Sequence, residues 1–158
     1  MKPKSKVLII AGSDSSGGAG IQADLKTFAA LEVYGTSAIT AVTAQNSLGV
    51  TGIHEIPIDI VSRQIDAIIE DIGVDATKTG MLFSAGIIER VADRIKAHSL
   101  ENIVLDPVMV AKGGDRLLRA DAVHALKELL IPLALVITPN AGEAEVLSAH
   151  PVTTMAQA

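Results

Sequence analysis

The residues able to do chemistry gather in a few short stretches. The longest, Ala11 to Phe28, reads AGSDSSGGAGIQADLKTF. Its glycines let the backbone come close to a ligand, while Ser13, Asp14, Ser15 and Ser16 supply donors and acceptors without bulk. Such a loop suits something small and polar. A Walker phosphate loop needs Gly-Lys-Ser/Thr after the glycines, but here Gly20 is followed by Ile21 and Gln22. Gly18, Gly20 and Ala23 match the G-x-G-x-x-A spacing of a dinucleotide site. They stand several residues beyond the preceding apolar run, however, and the next strand ends in Gln45 rather than in an acid able to hold a ribose hydroxyl.

Two acids, Asp106 and Glu143, each follow a predicted strand. Carboxylates so placed orient magnesium beside phosphates directly or through water, because the ion keeps several waters and needs few protein ligands. Taken singly, each is equally an ordinary loop or helix-start acid. Gln45 offers a donor and an acceptor side by side, the complement of an aminopyrimidine edge, although the residue alone does not select that ligand. Asp24, early in the first helix, is either a dipole-favoured acid or a group facing the loop it follows. His54, His98, His124 and His150 lack metal-ligand spacing and read as surface residues. The 158 residues contain no cysteine, which excludes disulfides and thiolate chemistry within this stretch.

These groups need elements to hold them. Val7 to Ile10 has the branched, apolar make-up of a buried strand, and Ile21, Leu25, Phe28, Ala29 and Leu31 recur at helical spacing in an element closed by Gly35. Thr36 to Ala44 suits a central strand, and Val50 to Ile56 is a further one. A helix starts at Pro57-Ile58-Asp59, with Asp59 as N-cap and Ile60, Val61, Ile65, Ile68 and Ile69 on one face. Ala76 to Thr79 is a short strand, Gly80-Met81-Leu82 a turn, and Ser84 caps a helix ending near Ala97. Asn102 to Leu105 is a strand running into Asp106-Pro107, Asp121 caps the next helix, Leu133 to Ile137 is a strand, and Thr138-Pro139-Asn140 leads into a helix around Glu143 to Leu147.

This alternation predicts an α/β fold with a mostly parallel sheet and helices on both faces. Ligands of such sheets bind outside the carboxyl ends of the strands. The stretch Gly12 to Gly20, Gln45, Gly80-Met81, Asp106 and Asn140 is therefore expected to converge on one edge.

Composition narrows the partners. With 49% hydrophobic residues and a mean hydropathy of +0.42, the chain has ample material for a core. A net charge of −5, no Lys/Arg cluster and only 2% aromatic residues argue against nucleic acid as a partner. No apolar run approaches the roughly 20 residues of a membrane span, and the Lys2, Lys4 and Lys6 start lacks a signal-peptide core, so no membrane partner and a cytoplasmic location are expected.

Five stretches, in order, carry a resemblance: AGSDSSGGAGIQADLKTF from Ala11, TAVTAQNSLGV from Thr40, KTGML from Lys78, DPVMVAKGGDRLL from Asp106 and TPNAGEAE from Thr138. Together they resemble the hydroxymethylpyrimidine/phosphomethylpyrimidine kinases of thiamine biosynthesis, members of the ribokinase-like superfamily. The resemblance implies a three-layer α/β/α fold and the ATP-dependent phosphorylation of 4-amino-5-hydroxymethyl-2-methylpyrimidine, then of its monophosphate. It implies that Gly12, Ala19, Asp24, Gln45, Met81 and Val108 hold the pyrimidine, with Gln45 on its polar edge and Met81 and Val108 against the ring. Asp106 and Glu143 are implied to organise Mg2+, and Asn140, Glu143 and Lys112 to serve the nucleotide phosphates. A homodimer is implied as well.

The same resemblance implies further strands and helices that carry an anion-hole turn, the residue activating the accepting hydroxyl and most of the adenine pocket. Residues 1–158 are thus expected to be the N-terminal portion of one ribokinase-like domain, inactive alone. Pro151 to Ala158 fits that expectation, since it reads as a cap and one helical turn, too short to be stable. The alternatives are a pyridoxal-type kinase, which Gln45 disfavours, and a non-catalytic pyrimidine-binding module.

Overall fold

Lys6–Asp14 forms β1, on which the sheet is centred in the computed structural model, which describes residues 5–109, 118, 121–154 and 157. Successive side chains of a strand point to opposite faces. Leu8 and Ile10 accordingly enter one buried cluster, and Ile9 and Ala11 another. Helix α1 (Gly20–Ala30) covers the second face with Ile21, Leu25 and Phe28. Helices α2 (Ile58–Asp71) and α3 (Ala85–Ala97) cover the first, through Val61, Ile65, Ile87, Ile88 and Val91, all fully buried. Each such side chain contributes about 1.5–3 kcal/mol by leaving water.

The sheet has the order β3-β2-β1-β4-β5-β6, with β2 at Tyr34–Asn46, β3 at Gly49–Glu55, β4 at Ala76–Thr79, β5 at Ile103–Leu105 and β6 at Val136–Ile137. All pairings are parallel except β2 with β3, a hairpin at the edge. Helices on both faces of a mostly parallel sheet match the expected three layers. The register slips between Ala11 and Ser13 in the β1–β2 pair and between Ala44 and Gln45 in the β2–β3 pair. Irregularities of this kind bend a strand locally and re-aim its side chains. Both lie where β1 and β2 end, beside the polar loop.

Several local expectations are corrected. Helix α1 stops at Ala30, not at Gly35, which lies in β2; a Cβ there would stand 2.8 Å from Leu25 Cδ2, so the glycine serves helix-on-strand packing. The cap residue of α2 is Pro57, and Asp59 makes no cap bond but an exposed pair with Arg63 at 3.5 Å. Ile60 is 39% exposed and off the buried face. Asp121 precedes α4 (Ala122–Ala125) without a side-chain cap bond. The helical run then continues as a π turn, Leu126–Leu130, and a 3-10 turn, Ile131–Leu133. The strand expected from Leu133 shrinks to the two residues that pair with Val104 and Leu105. His98 is not a free surface group: its Nε2 lies 2.7 Å from Asp66 Oδ1 between α2 and α3. Ser84 does cap α3, accepting from Ile87 N at 3.4 Å while donating to Glu55.

Candidate active site

The carboxyl ends of β1, β2, β4 and β5 surround an open cavity of about 600 Å³. Gly12, Ala19, Asp24, Gln45, Met81, Asp106 and Val108 all line it: five of them belong to the stretches expected at one sheet edge, and Asp24 and Val108 are expected from the resemblance alone. Lys112 lies outside the described residues.

The loop after β1 is built around Asp14. Its carboxylate accepts hydrogen bonds from Ser16 N at 2.8 Å, Gly18 N at 3.1 Å, Ala19 N at 2.8 Å and Ser16 Oγ at 2.8 Å. Burial alone pushes this carboxyl up, but the hydrogen bonds from Ser16, Ala19 and Gly18 together outweigh it and hold the group below its ordinary value of 3.8. The loop therefore closes on an internal anion. Gln22 of α1 fastens the other side, accepting from Asp14 N at 2.9 Å and donating to Ser13 Oγ at 2.7 Å. Gly20 turns the chain into α1 at φ +57°, so near the Gly12 carbonyl that a Cβ would collide with it.

The loop is clasped to β2 as well. Ser15 Oγ donates to Gln45 O at 2.7 Å and accepts from Gln45 N at 2.8 Å. The Gln45 carboxamide oxygen stands 3.1 Å from Thr43 Oγ1, which leaves amide N–H groups and a lone pair for a ligand. Across the cavity, Thr40 Oγ1 donates to Met81 O at 2.6 Å and pins the turn that presents Met81. The floor is ionic: Lys78 Nζ is 2.9 Å from Asp24 Oδ2 and 3.4 Å from Asp106 Oδ2.

Asn140 and Glu143 stand beside the cavity rather than in its lining. They form a reciprocal capping box at the start of α5 (Ala141–Ser148): Asn140 Oδ1 accepts from Glu143 N at 3.0 Å and Glu143 Oε2 from Asn140 N at 2.9 Å. Glu143 is buried, and its other oxygen accepts from Met109 N at 3.4 Å. It thereby braces the turn that carries Asp106 and Val108.

Residues 14–158 match the phosphomethylpyrimidine kinase family model. The chain belongs to that family. Among its relatives, the hydroxymethylpyrimidine/phosphomethylpyrimidine kinase of Bacillus subtilis is 55% identical over 150 residues, which make up 95% of this chain and 55% of the relative. That of Haemophilus influenzae is 57% identical over 148 residues, 94% of this chain and 55% of the relative. The chain thus spans about half the length of the curated relatives it matches. A crystal structure of a phosphomethylpyrimidine kinase from Clostridium difficile superposes with a TM-score of 0.91 at 47% identity, covering 98% of this chain and 67% of that one. An ADP complex of a Bacillus subtilis pyridoxal kinase gives 0.87 at 48%, covering 97% and 58%. These neighbours agree with the expected ribokinase-like architecture.

Sequence reasoning missed three structural roles in this phosphomethylpyrimidine kinase family member. Lys78 carries no signal of its own in β4, where a lone lysine reads as a solvated strand residue. Gln22 looks like a helix-surface amide until its contacts to Ser13 and Asp14 are seen. Asp14 was legible as a loop acid, but its role as the loop's internal acceptor required the fold.

Proposed function

We propose that this chain supplies the substrate side of an ATP-dependent kinase acting on 4-amino-5-hydroxymethyl-2-methylpyrimidine and then on its monophosphate. The observation that carries the reading is Gln45: a carboxamide with free hydrogen-bonding capacity in a cavity whose other walls include Met81, Val108 and the close-packed glycine loop. Ring atoms would pack on Met81 and Val108, and the polar edge would meet Gln45. Gly12 keeps the wall thin, since a Cβ there would run into the Met81 methyl. The identity to kinases of this name across nearly the whole chain supports the same reading.

Phosphoryl transfer rests on positioning and charge neutralisation. ATP supplies the phosphoryl group, and magnesium its charge screening. The donor set fits that ion in a particular way. Asp106 offers a carboxylate to the cavity, while both oxygens of Glu143 already accept backbone N–H groups. Asp106 would hold the ion directly and Glu143 through water, in keeping with the few protein ligands magnesium takes. Asn140, fixed by the capping box, and Lys112 would serve the phosphates. A homodimer and a cytoplasmic location complete the reading.

Pyridoxal kinases are nearly as similar in structure, which makes pyridoxal the competing substrate. Pyridoxal lacks the adjacent ring nitrogen and amine that Gln45 complements. An ATP-coupled assay of the full-length protein decides between them. Phosphorylation of the aminopyrimidine alcohol is expected; phosphorylation of pyridoxal alone would replace this reading.

A further inference from the structure

Resting on the kinase reading, a question remains about where the phosphate of the monophosphate substrate goes. A phosphate ester carries about −1.5 to −2 charges at neutral pH and needs donors. The glycine loop looks like their source, yet the N–H groups of Ser16, Gly18 and Ala19 already point at the Asp14 carboxylate. That loop is an occupied cradle. Among the described residues lining the cavity, three are acids, Asp14, Asp24 and Asp106, and Lys78 alone is a cation. Lys26, whose ammonium donates to Gly17 O at 2.7 Å, does not line the cavity.

An ammonium has three N–H donors. Lys78 directs one to Asp24 Oδ2 at 2.9 Å and pairs ionically with Asp106 Oδ2 at 3.4 Å without a hydrogen bond, and its side chain stays 22% exposed in the cavity. The two carboxylates, one on α1 and one after β5, fix the nitrogen in the same cavity that Gln45, Met81 and Val108 line. We propose that Lys78 is a specificity-determining residue, donating a remaining N–H to the phosphate of the phosphorylated pyrimidine. The alcohol makes no such contact. Without Lys78, a dianionic substrate would face Asp24 with no cationic side chain among the described lining residues to offset it.

The test compares kcat/KM for the alcohol and for its monophosphate in the full-length protein, wild type against Lys78→Met and Lys78→Arg. A charge-assisted hydrogen bond made by only one substrate predicts that Lys78→Met lowers kcat/KM for the monophosphate by about ten- to a hundredfold more than for the alcohol. The arginine variant, which keeps the charge, should recover part of that difference. Equal losses for both substrates in Lys78→Met would mean that Lys78 only positions the carboxylates, and would overturn the proposal while leaving the kinase reading intact. A variant that fails to fold leaves calorimetry on the wild type: tighter binding of the monophosphate that weakens steeply with salt is expected, and a salt-independent affinity refutes the proposal. A wild-type protein that phosphorylates neither substrate would remove both readings together.

Discussion

Replacing Asp14 by Asn tests whether the polar loop is held by an internal anion. Three backbone N–H groups and one hydroxyl converge on the two oxygens of this buried side chain. A hydrogen bond to a charged group nets about 1.5–3 kcal/mol, but these share one acceptor, and the exposed donors at Ser16, Gly18 and Ala19 would regain water, so Asp14→Ala should cost about 2–4 kcal/mol rather than the sum. Asn is the sharper probe. Both carboxylate oxygens accept from backbone N–H, so either orientation of the amide turns its NH2 toward another donor. Asp14→Asn should therefore lie within about 1 kcal/mol of Asp14→Ala. The folded carboxyl sits below 3.8, so its stabilisation is present above that pH and is lost as pH falls through the folded value. Urea unfolding followed by circular dichroism at neutral pH, and again well below pH 3.8, measures both effects. Near-wild-type stability of the Asn variant at neutral pH, or a wild-type advantage undiminished in acid, would refute the reasoning.

Gln45→Ala should weaken aminopyrimidine binding by about 1–3 kcal/mol in calorimetry, because the polar edge of the ring loses its partner. Gly20→Ala should lower stability by more than about 2 kcal/mol in thermal unfolding, since a side chain at φ +57° is strained and its Cβ would meet the Gly12 carbonyl. Gly12→Ala differs: its Cβ collides with the terminal methyl of the Met81 side chain rather than with backbone, so ligand affinity should fall further than stability. Asp106→Asn in the full-length protein should reduce kcat more than pyrimidine affinity, because charge develops mainly in the transition state; equal losses in both would contradict that role.

The layers and the meeting of strand ends were legible because period-two and period-3.6 patterns report directly on burial, as Leu8 and Ile10 against Ile9 and Ala11 illustrate. Boundaries were not. Asp59 has the type of a cap but sits past Pro57, and Leu133 has the apolarity of a strand residue but continues a helical run. Capping depends on backbone geometry that residue type does not report. The site divides in the same way. Gln45, Asp106 and the glycine loop stood out by type and place, whereas Lys78 acquires meaning only from two carboxylates distant in the chain. Glu143 was legible as an acid near Asn140, but its grip on Met109 N depends on how α5 docks beside β5.

The most direct measurement of the account is a crystal structure of this protein with 4-amino-5-hydroxymethyl-2-methylpyrimidine. The ring should lie in the cavity at the carboxyl edge of the sheet, against Met81 and Val108, with its amino and ring-nitrogen edge hydrogen-bonded to the Gln45 carboxamide. A ring bound elsewhere, or one in the cavity that turns this edge away from Gln45, would contradict the account.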